Sequence, residues 1–210
     1  MTAQSRAAHD SSAAGYDEAA RAAGWFPEAV FGLCFDRLRP GQRVLALGIG
    51  TGLCAAPFAA HRLTVWGLDE SPGMLAVCRA RGVAERLVEH DLDVRPWPFG
   101  AEAVTHVLAS GVAHFLRELE PFMAECRRVM SDDGVLAVTT RLPSADLIDV
   151  EELVFGGVPV FAHSARHVAA ALGRAGFVVD KRLDVVVGDG DVRDTYSLWV
   201  ASIASRSRTA

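Results

Sequence analysis

The run Arg43–Leu53, RVLALGIGTGL, sets an apolar stretch directly against three glycines in five positions. Such a run reads as a buried strand, and the bare backbone that follows it lets the chain turn sharply or approach a ligand closely. The switch it announces repeats along the chain. Short β-rich runs fall at about 43–48, 63–68, 85–90, 103–109 and 134–140, and helical stretches fill the gaps between them. Strands alternating with helices point to a parallel α/β sheet. SPGMLAVCRARG supplies the clearest helix, with Ser71 as N-cap, Pro72 at the first helical position, Met74, Leu75 and Cys78 on one face, and Gly82 as the stop. The segment 117–130 repeats that logic. HSARHVAAALGRAGF forms a further helix, and the β-rich runs VVDKRLDVVVG and DTYSLWVAS, separated by Gly188-Asp189-Gly190, predict a terminal antiparallel hairpin. The first forty residues, Ala-rich with Tyr16, Trp25 and Phe26, read as one or two helices docked on the sheet.

Composition narrows the partners. The chain has 210 residues, half of them apolar, and a formal charge of -5, enough for one domain with a sizeable core. Twenty arginines and a single lysine are scattered, with no basic run to track a phosphate backbone, so small molecules are favoured over nucleic acid. Cys34, Cys54, Cys78 and Cys126 lie far apart without metal-ligand spacing and read as small buried hydrophobes. With no basic-then-apolar leader and no apolar run of the roughly 18 residues a bilayer span needs, the expectation is a cytoplasmic protein that neither enters nor binds membranes.

The loop LGIGTG follows a strand and precedes a helix, so its backbone N–H groups and a helix N-terminus lie at the sheet's C-terminal edge. Gly48, Gly50 and Gly52 give Gly-x-Gly-x-Gly, and Leu53 stands where the third glycine of the dinucleotide fingerprint belongs, which disfavours a nicotinamide cofactor. Asp69, at the end of the second strand, can accept both hydroxyl protons of a ribose. Asp91, closing the third strand, can accept from an adenine amine. An adenosine-bearing ligand along one sheet edge follows.

These residues resemble the class I S-adenosylmethionine-dependent methyltransferases, over about residues 40 to 202. VLALGIGTGL is similar to the family's first motif, VWGLDESPGML to its second and EHDLDVRPWPF to its third. THVLASGVAHFL and LEPFMAECRRVMSDDGVLAVTT resemble the fourth strand end and the helix, turn and fifth strand beyond it. The resemblance implies a Rossmann-like α/β fold with a seven-stranded sheet in the order 3-2-1-4-5-7-6, strand 7 antiparallel, and helices on both faces. Together with the helical reading of the first forty residues, this gives an N-terminal helical cap (1–40) on a methyltransferase unit (41–205), both within one domain. It implies S-adenosylmethionine as cofactor, S-adenosylhomocysteine as product and no metal. The implied cofactor contacts are Tyr16, as an aromatic lid or else as simple packing, Gly48, Ile49, Gly50, Thr51 and Gly52 in the loop, Asp69 on the ribose with Glu70 beside it, Met74 and Asp91 at the adenine with Leu92 next to them, and Ser110 and Gly111 at the methionine end. One departure stands out: Ala46 occupies the place where the family usually carries Asp or Glu. Either backbone contacts alone hold the cofactor's amino-acid end, or the chain is a catalytically degenerate binding or regulatory protein that keeps the fold.

A sulfonium methyl is already a good electrophile, so the protein's task is to hold an O or N acceptor in line and exclude water. His114, after the fourth strand, is the candidate base; the alternative is that it packs or binds the cofactor carboxylate. His163 and His167, four apart at a helix start, lack metal-ligand partners; His163 is a candidate for the acceptor pocket or for helix entry. Trp25 and Phe26 either shape the acceptor cavity or anchor the cap, and Trp97 with Phe99 reads as an apolar plug. No Asn/Asp-Pro-Pro-aromatic stretch follows the fourth strand, which argues against base amines in nucleic acid. RLPSADLIDVEELVFGGVPVFAHS, about twenty residues, is expected to complete a pocket for a small acceptor. Oligomeric state is not legible.

Overall fold

The computed structural model describes residues 3–188 and 193–204. Five strands, β1 (Arg43–Leu47), β2 (Thr64–Asp69), β3 (Arg86–Glu89), β4 (His106–Ala109) and β5 (Val135–Arg141), run parallel in the order β3-β2-β1-β4-β5. β6 (Val150–Phe155) and β7 (Val158–His163) form a hairpin, and β8 (Phe177–Val187) and β9 (Asp194–Ile203) form another. β9 lies antiparallel along the whole of β5, with Val135 opposite Ser202 and Arg141 opposite Tyr196, and β8 borders it. The order 3-2-1-4-5-7-6 with a reversed last strand is therefore present, β8 and β9 taking its final two places.

The sheet has nine strands rather than seven. The added pair arises in the stretch expected to complete the acceptor pocket, where VEELVF and VPVFAH flank Gly156 and Gly157 at φ +58° and +83°. Two successive positive φ values are what a two-residue hairpin turn with right-handed strand twist requires. This hairpin meets β5 only at its end, through Arg141 and Ala162, so it hangs over the rim where the parallel strands finish. Of the predicted turn between β8 and β9, Asp189 and Gly190 lie outside the described residues.

The N-terminal region forms three helices rather than one or two: α1 (Ala3–Ser12), α2 (Tyr16–Ala22) and α3 (Pro27–Cys34). α4 (Ala56–Ala60), α5 (Pro72–Arg81), α6 (Glu120–Val129) and α7 (Ala165–Arg174) follow. α5 has the expected ends: Ser71 Oγ accepts from the Met74 amide at 3.1 Å, and Gly82 closes the helix at φ +72°. Ser164 caps α7 in the same way, accepting from the His167 amide.

Alternating strand residues feed two apolar layers. Leu45, Leu47, Val107, Ala109, Leu136, Val138 and Trp199 pack on α6 and α7. Val44, Ala46, Leu108, Val135, Ala137, Leu198 and Val200 pack on α3 and α4 through Val30, Cys34 and Phe58. Both faces are covered, as a parallel sheet demands. Trp97 and Phe99 are buried in the first layer as the expected plug; the Trp97 indole donates to Leu92 O, and its amide to Glu125 Oε1 at 2.7 Å. No helix among the described residues is long and apolar enough to cross a membrane.

Candidate functional site

The loop after β1 departs from ordinary backbone geometry at each glycine: Gly48, Gly50 and Gly52 sit at φ +58°, +56° and +83°, a region L side chains rarely adopt. A Cβ on Gly48 would also lie 2.7 Å from Val112 Cγ2. Not every amide in the loop faces outward, as the sequence had suggested. Gly50 N–H donates to Asp69 Oδ2 at 2.7 Å, Ile49 N–H to Leu68 O, and Gly52 N–H back to Ile49 O. These bonds fix the loop's shape against β2 rather than serving a ligand.

Asp69 thus does two jobs. Its carboxylate accepts from the Gly50 amide and, at 2.9 Å, from the Ser71 amide, tying the loop to the start of α5. A carboxylate offers about four acceptor positions, so two remain for hydroxyl donors. Burial raises its pKa, against the lowering effect of the two amides. Glu70 stands beside it with Oε1 buried and unpaired, and burial likewise pushes its carboxyl up. Met74 is buried, its sulfur against Gly50. Beyond β3, Asp91 Oδ1 accepts from the Asp93 amide. Burial alone would raise the Asp91 carboxyl, but hydrogen bonding and nearby positive charge leave it below its usual value. Leu92 is buried beneath it. These residues line one rim of the sheet.

The second half of the site lies past β4. Ser110 Oγ donates to Cys54 Sγ at 3.3 Å, and the Trp25 indole N–H donates to the same sulfur at 3.3 Å. Cys54 is therefore a polar junction rather than a plain apolar filler, and burial raises its thiol, keeping it protonated. Gly111, at φ +73°, donates its amide to Thr139 Oγ1. His114 lies in the turn that follows, its ring 4.2 Å from Phe115 and 6.1 Å from Tyr196. Burial, with the Arg141 charge adding to it, pushes its pKa down to about 3. Its Nδ1 is buried and unpaired. Such an imidazole is neutral at neutral pH and a feeble base. His163 is fully buried and bonds Leu116 O at 2.9 Å, so it supports that turn from below. His163 and His167 stack at 5.6 Å, and no cluster of metal-ligating side chains occurs among the described residues.

The cap closes the site from above through residues with no signature of their own in the sequence. Asp10 Oδ1 accepts from Ser71 Oγ at 2.5 Å and from the Gly73 amide at 2.9 Å, at the positive end of α5. Asp17 accepts from Thr51 Oγ1 at 2.5 Å and pairs with Arg81. Burial pushes the Tyr16 phenol up to about 12, with the nearby charges of Cys54 and Asp69 adding to the rise. Trp25 meets Tyr196 edge-on at 5.7 Å, whereas Phe26 faces solvent. Tyr196 and Arg141 are direct partners across β9 and β5. Both come from strands far along the chain, which is why neither was legible as a site residue. Ala46, by contrast, is buried in the layer under α3 and offers no hydrogen bond.

The methyltransferase domain family matches residues 45–138, the span from β1 into β5. A malonyl-[acyl-carrier protein] O-methyltransferase of Serratia marcescens is 32% identical over 101 residues, covering 48% of this chain and 39% of its own length. The chain thus spans well under half of that curated relative. Among solved structures, the Burkholderia thailandensis 1,6-didemethyltoxoflavin-N1-methyltransferase, bound to 1,6-didemethyltoxoflavin and S-adenosylhomocysteine, superposes with a TM-score of 0.75 at 17% identity. The match covers 95% of this chain and 87% of that one. A Haloferax volcanii methyltransferase in complex with the Trm112 activator gives 0.71 at 16% identity, over 97% and 99%. With the glycine loop, the strand order and the reversed β9 all in place, the chain has the fold of the class I S-adenosylmethionine-dependent methyltransferases, and its residues 45–138 match the methyltransferase domain family.

Proposed function

We propose that the protein is an S-adenosylmethionine-dependent methyltransferase that moves a methyl group to an oxygen or nitrogen of a small molecule in the cytoplasm. The observation that carries the reading is the tie between Gly50 and Asp69, which sets a positive-φ glycine loop and an acid with free lone pairs on one rim. The residues present fit the cofactor: Glu70 Oε1 is an unpaired buried acceptor beside Asp69, and the positive-φ glycines of the loop bring bare backbone to the same rim. Asp69 and Glu70 would hold ribose hydroxyls, Asp91 and Leu92 the adenine with Met74, and Ser110, Gly111 and Tyr16 the methionine end. When bound, the group supplies a methyl on sulfur open to in-line displacement.

The chain's own part is positioning and exclusion of water. Tyr16, Trp25 and Tyr196 cover the methyl end with aromatic surface, and the cap latches at Asp10 and Asp17 close it. His114 contacts the acceptor as a neutral hydrogen-bonding group rather than as a strong base. Calorimetry with S-adenosylhomocysteine tests the site. Asp69→Ala removes charge-assisted hydrogen bonds of roughly 1.5–3 kcal/mol each, so affinity is expected to fall at least tenfold. Unchanged affinity refutes the placement. Labelled S-adenosylmethionine with a panel of phenols, amines and carboxylic acids tests turnover. The apolar setting of Ala46 supports a second reading, a cofactor-binding protein without turnover; binding with no labelled product across the panel would favour it.

A further inference from the structure

Resting on the methyltransferase reading, we infer that Arg141 is the specificity-determining residue of the acceptor site, holding a carboxylate carried by the acceptor, so that the substrates are organic acids. Arg141 ends β5 on the rim, on the same face as Thr139 and directly across from Tyr196. That face looks toward the cap rather than toward α6 and α7, because its strand neighbours Val135 and Ala137 belong to the layer under α3. The side chain is 16% exposed, yet among the described residues a single nitrogen, Nη2, has an acceptor, the carboxylate of Asp194. A guanidinium carries five N–H donors in a planar fork suited to two parallel bonds to one carboxylate. No Arg141 nitrogen is among the buried side-chain atoms without a partner, so the unused part of the fork stays open at the rim to a ligand that can accept from it.

The neighbouring groups narrow what that is. His114 Nδ1 is buried and unpaired, and Arg141 acts on the His114 ring through space. With the proton on Nδ1, both groups are donors, and one is permanently cationic. Their common partner is an anion with several lone pairs on a flat head, which describes a carboxylate and not a neutral phenol or amine. Glu151, the other acid that senses Arg141, is already engaged by Ser144 N and Oγ at 2.6 and 2.7 Å. Asp194 is the one internal competitor. An ionised acid also asks little of a weak base, which suits the neutral His114.

The test uses the full chain loaded with S-adenosylhomocysteine and matched pairs of acids and primary amides: benzoate with benzamide, anthranilate with anthranilamide, 3-phenylpropionate with its amide. Tryptophan fluorescence, with Trp25 close to Tyr196, reads binding. Acids are expected to bind at least tenfold tighter than their amides. Arg141→Gln should erase that preference while leaving S-adenosylhomocysteine affinity within twofold. Arg141→Gln with Asp194→Asn avoids a stranded carboxylate should the single variant fold poorly. Asp194→Asn alone should tighten acid binding, a gain that a purely structural ion pair would not produce. Equal binding of acids and amides, or acid binding that survives Arg141→Gln, overturns the inference. Failure of the wild type to bind S-adenosylhomocysteine would instead overturn the cofactor reading beneath it.

Discussion

Gly67→Ala probes how the sheet sets the ligand loop. Gly67 lies mid-strand in β2, paired with Ala46 on one side and Leu87 on the other. A methyl there would stand 2.5 Å from Ile49 Cδ1, 2.8 Å from its Cγ2 and 3.0 Å from its Cβ. Ile49 is the buried residue between Gly48 and Gly50, so displacing its side chain shifts the loop backbone and the Gly50 amide held by Asp69. Overpacking of this kind costs about 1–3 kcal/mol. Replacing a strand glycine by alanine returns roughly 0.5–1 kcal/mol of backbone entropy. The net expectation is a loss on the order of 1–2 kcal/mol, or roughly 2–8 °C in Tm for a chain of this size. Ile49→Ala alone costs about 2–5 kcal/mol through the cavity it leaves. The double variant removes Cδ1 and Cγ2 and relieves the clash, so the two changes should couple by on the order of 1 kcal/mol. Urea denaturation of the four proteins measures this cycle, and calorimetry with S-adenosylhomocysteine reads the loop. Additive stabilities, or a Gly67→Ala protein that keeps full stability and affinity, would refute the idea that Ile49 transmits the sheet's spacing to the site.

Stability should fall as pH drops from about 6.5 toward 4, because burial holds His106 and His163 down to about 4. Unfolded histidines take a proton near 6.5, so in that window the unfolded state binds more protons. Each shift is worth on the order of 3 kcal/mol, and a flat urea midpoint between pH 7 and pH 5 would contradict it. Ser71→Ala removes the α5 cap and the hydroxyl that meets Asp10; a loss of about 1–2 kcal/mol is expected by thermal denaturation. Asp17→Ala breaks the contacts to Thr51 and Arg81, and hydrogen exchange over residues 16–22 should quicken while β1 and β4 stay protected. Exchange unchanged in that segment would show that the cap does not depend on this latch.

Local chemistry explains what could be read from the chain alone. The strand-to-glycine switch at 43–53, the Ser71-Pro72 to Gly82 helix, and the alternation that makes the sheet parallel all depend on residues within a turn or two of one another. Backbone sterics and capping act at that range, so the fold class and the glycine loop were visible, as was the position of Asp69 at the end of β2. The β6–β7 hairpin was legible in principle, since Gly156-Gly157 sits between two β-rich runs, but a pocket-completing role for the stretch says nothing of its secondary structure. Other features had no local signal at all. Asp10 and Asp17 look like ordinary helix-surface acids until α1 and α2 fold onto α5 and the loop. His114 looks like a base until burial and the Arg141 charge depress it. Arg141 and Tyr196 lie 55 positions apart and meet only because β9 runs antiparallel beside β5. Conformational preference is written in neighbouring residues, whereas desolvation and long-range charge exist only once distant segments have been packed together. For that reason the sequence determined the scaffold and the glycine loop, and tertiary structure alone decided the electrostatics around His114 and Arg141.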